Sequence, residues 1–190
     1  MNTESLFLKS LLTLKNPFNS FDDIVKWLAN RNQTIKVNVE KIPFSLLDSW
    51  LFDEKTHNLR HKTGKFFSID GLKVKKDSNF KTQWCQPLIN QPEVGYLGII
   101  TKEFNDVLYF LMQAKIEPGN VNCVQLSPTL QATKSNYTRT HAGYAPKYLD
   151  YFKNATQDQI LVDQLQSEQG ARFLRKRNRN IIIKIDDKIE

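Results

Sequence analysis

The chain has 190 residues, of which 40% are hydrophobic and 25% charged, and its formal net charge is +7. This composition excludes a largely disordered chain, and the length suits one domain with a full core. No apolar run is long enough to cross a bilayer, and the first residues lack the basic region and cleavage site of a signal peptide. We therefore expect a soluble, cytoplasmic protein that does not associate with a membrane.

The first predicted element is a helix from Ser20 to about Asn30. Ser20 is a suitable N-cap, and Asp23 can complete a capping box ahead of an amphipathic stretch. Helical spacing recurs in PFSLLDSWLF, where four apolar side chains share one side: Leu46, Leu47, Trp50 and Leu51. The polar segment after it, which holds His57 and His61, is predicted to be a loop.

The first predicted strand lies in KFFSIDGLKV. Phe67 and Ile69 alternate there with Ser68 and Asp70, and the pattern indicates a strand that bends and stops at Gly71. We therefore expect the β-sheet to begin in this stretch.

The segment from Val107 to Glu117 is predicted to be a strand with two different faces. One face is apolar and should pack: Leu108, Phe110, Met112, Ala114 and Ile116. The other face can present polar and charged groups to a ligand. It carries Tyr109, Gln113, Lys115 and Glu117 beside Val107 and Leu111. A turn at Pro118 and Gly119 followed by VNCVQL completes a predicted hairpin.

The C-terminal part is predicted as strand, helix and strand. ILVDQLQ indicates a strand, Ser167 is a good N-cap for a helix through Arg177, and NIIIKI indicates a last strand. An uninterrupted helix from Thr156 is the competing interpretation.

The positive charge is concentrated near the C-terminus, at Arg172, Arg175, Lys176, Arg177 and Arg179. A solvated helix face is the simplest interpretation of such a run. Nucleic-acid binding needs exposed aromatics between the charges or a known module, and neither pattern occurs, so we predict no nucleic-acid partner. Cys85 and Cys123 are too few for a disulfide framework and are expected to be reduced thiols in the core, where Trp84 is also expected.

Five longer motifs carry a further signal. They are GKFFSIDGLKV from Gly64, WCQPLINQPEVGYLG from Trp84, QAKIEPGN from Gln113, QLSPTLQATKSNYTRTH from Gln125 and QSEQGARFLRKRNRN from Gln166. In this order they resemble the NDP-hexose 2,3-dehydratase family, and the resemblance runs from about Trp50 to Ile183.

The resemblance implies an α+β fold with a Nudix-like mixed β-sheet sandwiched by helices. Members of that family typically carry two tandem copies of the Nudix-like unit, so we assign residues 1–190 to one such domain, with residues 1–40 as an N-terminal helical extension. Two assemblies remain open: the chain pairs as a homodimer, which we expect, or it is half of an enzyme.

A metal site is not predicted. A Nudix hydrolase holds divalent cations with several Glu on one helix, whereas DQLQSEQGARF offers only Glu168 beside Gly170. His57 and His61 have no third ligand nearby in sequence. We therefore expect neither a metal nor a cofactor.

The residues can bind an anionic substrate without metal. A helix that begins at Ser167 would direct the N–H groups of Glu168, Gln169 and Gly170 toward a diphosphate. Arg172 could then add a bidentate contact and Lys115 a point charge, although a surface salt bridge is the alternative role for Arg172.

The stretch TKSNYTR has the dense hydroxyls and amides that sugar recognition needs. In the family that the chain resembles, the matching positions line the sugar-nucleotide pocket. The resemblance thereby assigns substrate binding to Gln131, Thr133, Lys134, Ser135, Asn136, Tyr137, Ser167, Glu168, Gln169 and Gly170. It also assigns Trp50, for which a core position among neighbouring leucines is equally well supported.

The resemblance implies a hydro-lyase that removes water across C2 and C3 of an NDP-4-keto-6-deoxyhexose. The C4 ketone acidifies the C3 hydrogen, so a base and donors to the C4 oxygen are required. We predict Tyr137 and Asn136 as donors and Glu168 as base, with Glu117 and His141 as alternatives. A helix N-terminus at Glu168 would make it a weakly basic carboxylate. The product, a 3,4-diketo-2,6-dideoxy sugar nucleotide, is fragile, so a downstream ketoreductase is an expected partner. The other hypotheses are a noncatalytic nucleotide-sugar-binding module and a basic nucleic-acid-binding domain.

Overall fold

The computed structural model describes residues 2–76, 82–133 and 145–186. Within these ranges the chain has the predicted α+β architecture, with helices at the N-terminus, a four-stranded sheet and a six-stranded sheet. No helix of the described part is long and apolar enough to span a membrane.

Two capped helices open the chain. α1, Thr3–Leu12, is capped by the side chain of Asn2. α2, Phe21–Thr34, begins directly after Ser20, and the predicted capping box with Asp23 is confirmed, with both backbone-to-side-chain bonds 3.1 Å long.

The four-stranded sheet is an antiparallel meander of β1 (Trp50–Phe52), β2 (Leu59–His61), β3 (Ser68–Lys76) and β4 (Thr82–Asn90). The helical spacing in PFSLLDSWLF was misleading, because a 3₁₀ turn at Phe44–Leu46 leads into β1 and pairing with β2 sets the backbone. β3 continues through Gly71, since its cross-strand pairing with β4 is unbroken there. His61 lies at the end of β2 and not in a loop.

The six-stranded sheet consists of β5 (Gly95–Phe104), β6 (Val107–Ile116), β7 (Val124–Pro128), β8 (Leu130–Ala132), β9 (Ile160–Ser167) and β10 (Arg177–Ile185). Its order is β7-β6-β5-β10-β9, and β8 pairs with the first part of β5. β5 and β10 are parallel, whereas the other pairs are antiparallel. The predicted hairpin of β6 and β7 and both predicted C-terminal strands are confirmed.

The core lies against the centre of the six-stranded sheet, under the short helix α3 (Leu149–Lys153). Its buried members are Ile100, Leu130, Ala132, Leu149, Phe152, Ile181 and Ile183. Phe152 lies directly over Gly98, where a Cβ would come within 2.6 Å of its Cζ. Gly98 is thus needed for close packing of α3 on the sheet.

The predicted helix from Ser167 to Arg177 is wrong. Ser167 ends β9, Arg177 begins β10, and the two residues are cross-strand partners. The competing helix from Thr156 is also wrong, because β9 begins at Ile160. Long-range pairing of β10 with β5 fixes the direction of this segment and overrides the local capping signal.

The N-terminal helices cover β6 and β7 incompletely. Asn32 of α2 bonds both backbone groups of Val124 at 3.0 Å, which fixes the helix to β7. On the predicted packing face of β6, Leu108 is buried, yet Phe110 and Met112 stay 39–40% exposed. The prediction that this whole face packs is therefore only partly right.

Two predicted core residues of β4 lie at the surface. Trp84 and Cys85 are both exposed, and Trp84 bonds the side chain of Gln86 at 2.7 Å. Cys123 is partly buried, and both cysteines are unpaired. The alternating pattern of a strand could not show which of its faces a second layer would cover.

Candidate functional site

A cleft of about 150 Å³ lies where the two sheets meet the loop between β9 and β10. The start of β5, the end of β8, the segment after β4 and this loop all contribute to it. Its lining residues are Gln91, Gly95, Tyr96, Leu97, Gln131, Ala132, Thr133, Glu168, Phe173, Lys176 and Asn178.

Three of the residues predicted to bind substrate meet in this cleft. Gln131 and Thr133 come from β8 and the residue after it, and Glu168 comes from the residue that follows β9. The sequence resemblance placed these residues in one pocket. The structure brings them together, although Glu168 follows the other two by 35 or more positions in the chain.

Glu168 is held by Asn178. The Nδ2 of Asn178 donates to the Glu168 carboxylate, and the Asn178 Oδ1 accepts the N–H of Gly95 at 3.1 Å. Asn178 is only 9% exposed, so its amide has one orientation in which both bonds are made. The carboxylate of Glu168 is consequently fixed in the cleft and half-buried.

Gly95 makes this arrangement possible. A Cβ at this position would lie 2.9 Å from the carbonyl oxygen of Ala132 and 3.1 Å from the Oδ1 of Asn178. The first distance is too short for a carbon atom and involves a backbone atom, whereas the second is tight and needs a small shift of the Asn178 side chain. Any larger residue would push Asn178 or β8 away from β5.

Lys176 is the residue that sequence reasoning missed. It was counted with the exposed basic run, but it is only 4% exposed and its Nζ donates to the carbonyl oxygen of Glu93. Burial lowers the pKa of Lys176, and the negative charges of Glu93 and Glu168 partly oppose this effect. The sequence contained a signal for this burial. Lys176 and Asn178 alternate with Arg177 and Arg179 along the chain, and successive residues of a strand point to opposite faces of the sheet.

The loop from 168 to 176 lacks the helix on which the predicted anion site was based. The N–H of Glu168 donates to Lys176 O at 3.0 Å, and the N–H groups of Arg172 and Phe173 donate to Gln169 O at 2.9 Å. Of the three amides assigned to the anion site, that of Glu168 is therefore used within the loop, and no helix aligns those of Gln169 and Gly170. A Cβ at Gly170 would meet nothing within 4 Å, so close packing within the chain does not explain this glycine.

Contacts with β4 anchor the same loop to the four-stranded sheet. Ile89 bonds Arg172 O at 2.7 Å and accepts from the N–H of Leu174 at 2.9 Å. Gln86 adds a bond from its side chain to Ala171 O at 3.2 Å. One wall of the cleft is thereby tied to both sheets.

The remaining predicted residues lie outside the cleft lining or outside the described residues. The side chains of Ser167, Gln169 and Arg172 are exposed, as is Gly170. Trp50 of β1 packs on Phe67, the residue before β3, with ring centroids 4.9 Å apart. Lys134, Ser135, Asn136, Tyr137 and His141 are not among the described residues.

Lys115 lies next to the cleft but already has an acidic partner. Its Nζ is 3.0 Å from Glu117 Oε1, and the same carboxylate oxygen accepts from Gln131 Nε2 at 3.2 Å. Gln131 thus connects the cleft with the polar face of β6.

Tyr96 forms another wall. Arg179 donates to the Tyr96 hydroxyl at 3.2 Å, and its guanidinium lies 5.4 Å from the ring centroid. Arg179 is itself held by Asp163, at 2.6 and 2.8 Å. The hydrogen bond from Arg179 lowers the pKa of Asp163, and Asp163 raises that of Arg179. Arg179 is therefore bonded to both neighbouring strands, contrary to its assignment to a solvated helix face.

Clusters of three or more His, Cys, Asp or Glu side chains placed to hold a metal ion do not occur in the described ranges. The polar groups of the cleft are a carboxylate, an ammonium, amides and hydroxyls. Such groups can bind a hydroxylated ring and transfer protons.

Comparisons with known proteins agree with this chemistry. A sequence model of the NDP-hexose 2,3-dehydratase family matches residues 21–190. Three curated relatives carry the name dTDP-4-dehydro-6-deoxy-α-D-glucopyranose 2,3-dehydratase. The protein of Saccharopolyspora spinosa is 46% identical over 99% of this chain, that of Amycolatopsis orientalis 50% over 87%, and that of Streptomyces violaceoruber 44% over 86%. The chain spans 36–39% of the length of these relatives. It belongs to the NDP-hexose 2,3-dehydratase family.

Proposed function

We propose that the protein removes water across C2 and C3 of dTDP-4-keto-6-deoxyglucose, as a hydro-lyase of deoxysugar biosynthesis. The observation that carries this proposal is the half-buried carboxylate of Glu168, held by Asn178 in a cleft between residues that the family resemblance assigns to substrate binding. The product is a 3,4-diketo-2,6-dideoxy sugar nucleotide, which a ketoreductase partner would reduce.

Glu168 is the proposed base. The C4 ketone makes the C3 hydrogen acidic, so a fixed carboxylate can remove it and form an enolate. The expectation that Glu168 is stabilised by a helix N-terminus no longer applies, because the loop contains no such helix. The bond from Asn178 to one carboxylate oxygen orients the group, and we assign the removal of the C3 proton to the other oxygen.

Asn136 and Tyr137 remain the proposed donors to the C4 oxygen. They belong to the segment that begins directly after Thr133, and Thr133 lines the cleft. Donors at that oxygen would stabilise the enolate, which is usually the largest contribution to such a reaction.

The size of the cleft suits part of the substrate. Its volume of about 150 Å³ is below the roughly 300–1,000 Å³ of pockets that enclose drug-sized ligands. We therefore place the sugar ring in the cleft and the nucleotide outside it. Arg172, exposed on the loop that carries Glu168, is the proposed diphosphate contact, whereas Lys115 has Glu117 as its partner.

We propose that substrate binding requires no metal or cofactor, that the fold is Nudix-like, and that the chain pairs as a homodimer. Exposed leucines of α1 and the residues after it support an apolar interface, namely Leu8, Leu11, Leu12 and Leu14. Sedimentation should then give about twice 22.1 kDa at micromolar concentration. A monomer that dehydrates its substrate would show that pairing is dispensable.

A noncatalytic nucleotide-sugar-binding module is the second candidate. It is favoured by one observation, that the chain spans 36–39% of the length of its catalytic relatives. Such a module would bind the nucleotide sugar and leave it unchanged.

One experiment separates the two candidates. The purified chain is incubated with dTDP-4-keto-6-deoxyglucose and a ketoreductase, and mass spectrometry detects the loss of one water. Glu168→Gln is the matched variant, because it keeps the shape and can still accept from Asn178. We expect the wild-type chain to form product and the Glu168→Gln variant to form none. Binding without product in the wild-type chain supports the module instead.

A further inference from the structure

We propose that Lys176 is the acid that protonates the C2 hydroxyl as it leaves, opposite Glu168 as the base. This inference rests on the proposed dehydration and assigns its second proton transfer, for which no residue has been named above.

The hairpin of β9 and β10 places the two side chains together. Ser167 and Arg177 are the last cross-strand pair, and the next residues outward, Glu168 and Lys176, are joined by the 3.0 Å bond from Glu168 N–H to Lys176 O. Residues opposite each other in an antiparallel pair have Cβ atoms about 4.5–5.5 Å apart. A carboxylate and an ammonium thus line the same cleft from neighbouring positions.

Asn178 completes the group from the same side of the chain. It stands two residues after Lys176, which returns its side chain to the same face of the strand, and both residues line the cleft. Between them, Arg177 is exposed on the opposite face. The face toward the cleft therefore carries the acid, the base and the amide that orients the base.

The burial of Lys176 is difficult to explain by stability alone. Lysine is almost never fully buried, because removing an ammonium from water is costly, yet Lys176 is 4% exposed. The bond to Glu93 O uses one of its three protons and positions the nitrogen. The pKa of Lys176 is lowered by burial, which makes the ammonium a stronger acid near neutral pH.

The reaction balances without an added reagent. Glu168 takes the C3 proton, and the electron pair of that C–H bond forms the enolate of the C4 ketone. The C2–O bond then breaks with formation of the C2–C3 double bond, and Lys176 gives a proton to the departing oxygen, which leaves as water. The enol tautomerises to the 3,4-diketone, and transfer of the proton from Glu168 to Lys176 restores both groups.

The test separates the two proton transfers in D₂O. We expect the wild-type chain to form product, and Glu168→Gln to show neither deuterium at C3 of the recovered substrate nor product. Lys176→Met should still exchange the C3 hydrogen but lose about 10²- to 10⁴-fold in dehydration rate, the usual contribution of a positioned acid. Arg177→Met, the exposed neighbour, should behave as the wild type.

The outcomes are distinct. A folded Lys176→Met variant that dehydrates at the wild-type rate overturns the role of Lys176 and leaves the proposed function intact. Equal loss of exchange and dehydration also overturns it, because Lys176 would then act on the enolate. If Lys176→Met does not fold by circular dichroism, Lys176→Gln and Lys176→Arg are measured in the same way. A wild-type chain that binds substrate without exchange or dehydration refutes the proposed function, and the role of Lys176 with it.

Discussion

Replacing Asn178 by Asp should separate the two hydrogen bonds that this residue makes in the cleft. Asp has nearly the same shape, so its Oδ1 still accepts from Gly95 N–H, which lies 3.1 Å away in the wild type. Its second oxygen, however, replaces the donor that holds Glu168. One hydrogen bond to a charged group is lost and two carboxylates are brought together.

The magnitude follows from these contacts. Loss of a hydrogen bond to a charged group costs about 1.5–3 kcal/mol, and we expect a loss of stability in that range at pH 7. Lys176 in the same cleft moderates the repulsion between the carboxylates. Asn178→Ala should lose about a further 1–3 kcal/mol, because the buried N–H of Gly95 is then left without a partner.

The sign of the pH dependence provides the stricter test. Two adjacent carboxylates bind a shared proton more tightly in the folded variant than in its unfolded chain. The stability of Asn178→Asp relative to wild type should therefore be nearly restored below about pH 4, the range in which free Asp is protonated. It should decline as the pH rises above that value. Urea unfolding from pH 4 to 8 measures this difference, and a deficit that stays constant over the range would refute the assigned contact.

Three further predictions follow from other parts of the molecule. Arg172→Ala should weaken nucleotide-sugar binding by about 1.5–3 kcal/mol, the usual size for a charged hydrogen-bonding partner, and an unchanged Kd by calorimetry in a folded variant would remove Arg172 from the site. Binding of dTDP in EDTA should match binding in Mg²⁺; affinity that disappears with the chelator and returns with Mg²⁺ contradicts metal-free binding. Gly98→Ala should destabilise the chain by about 1–3 kcal/mol through its contact with the Phe152 ring, and Phe152→Leu in the same chain should recover part of that loss in thermal unfolding. If the stability losses of the two single variants simply add in the double variant, the two positions do not touch.

The sequence by itself determined the elements that depend on neighbouring residues. The capping box of α2 needs only Ser20 and Asp23, and the hairpin of β6 and β7 needs alternation and a turn at Pro118 and Gly119. These signals act within a few residues, so they survive in any tertiary context. The motif resemblance likewise assigned Glu168, Gln131 and Thr133 to one pocket, and all three line the same cleft.

Only the tertiary structure decided what the segment after Ser167 becomes. Its local signals favour a helix, but β10 pairs in parallel with β5, and Asn178 bonds the backbone of Gly95, 83 positions away in the chain. That pairing makes the segment a hairpin loop, turns Lys176 from a presumed surface charge into a buried ammonium, and places it opposite Glu168. A sequence pattern cannot show this, because the energy of burying a charge depends on partners that only the folded chain brings together.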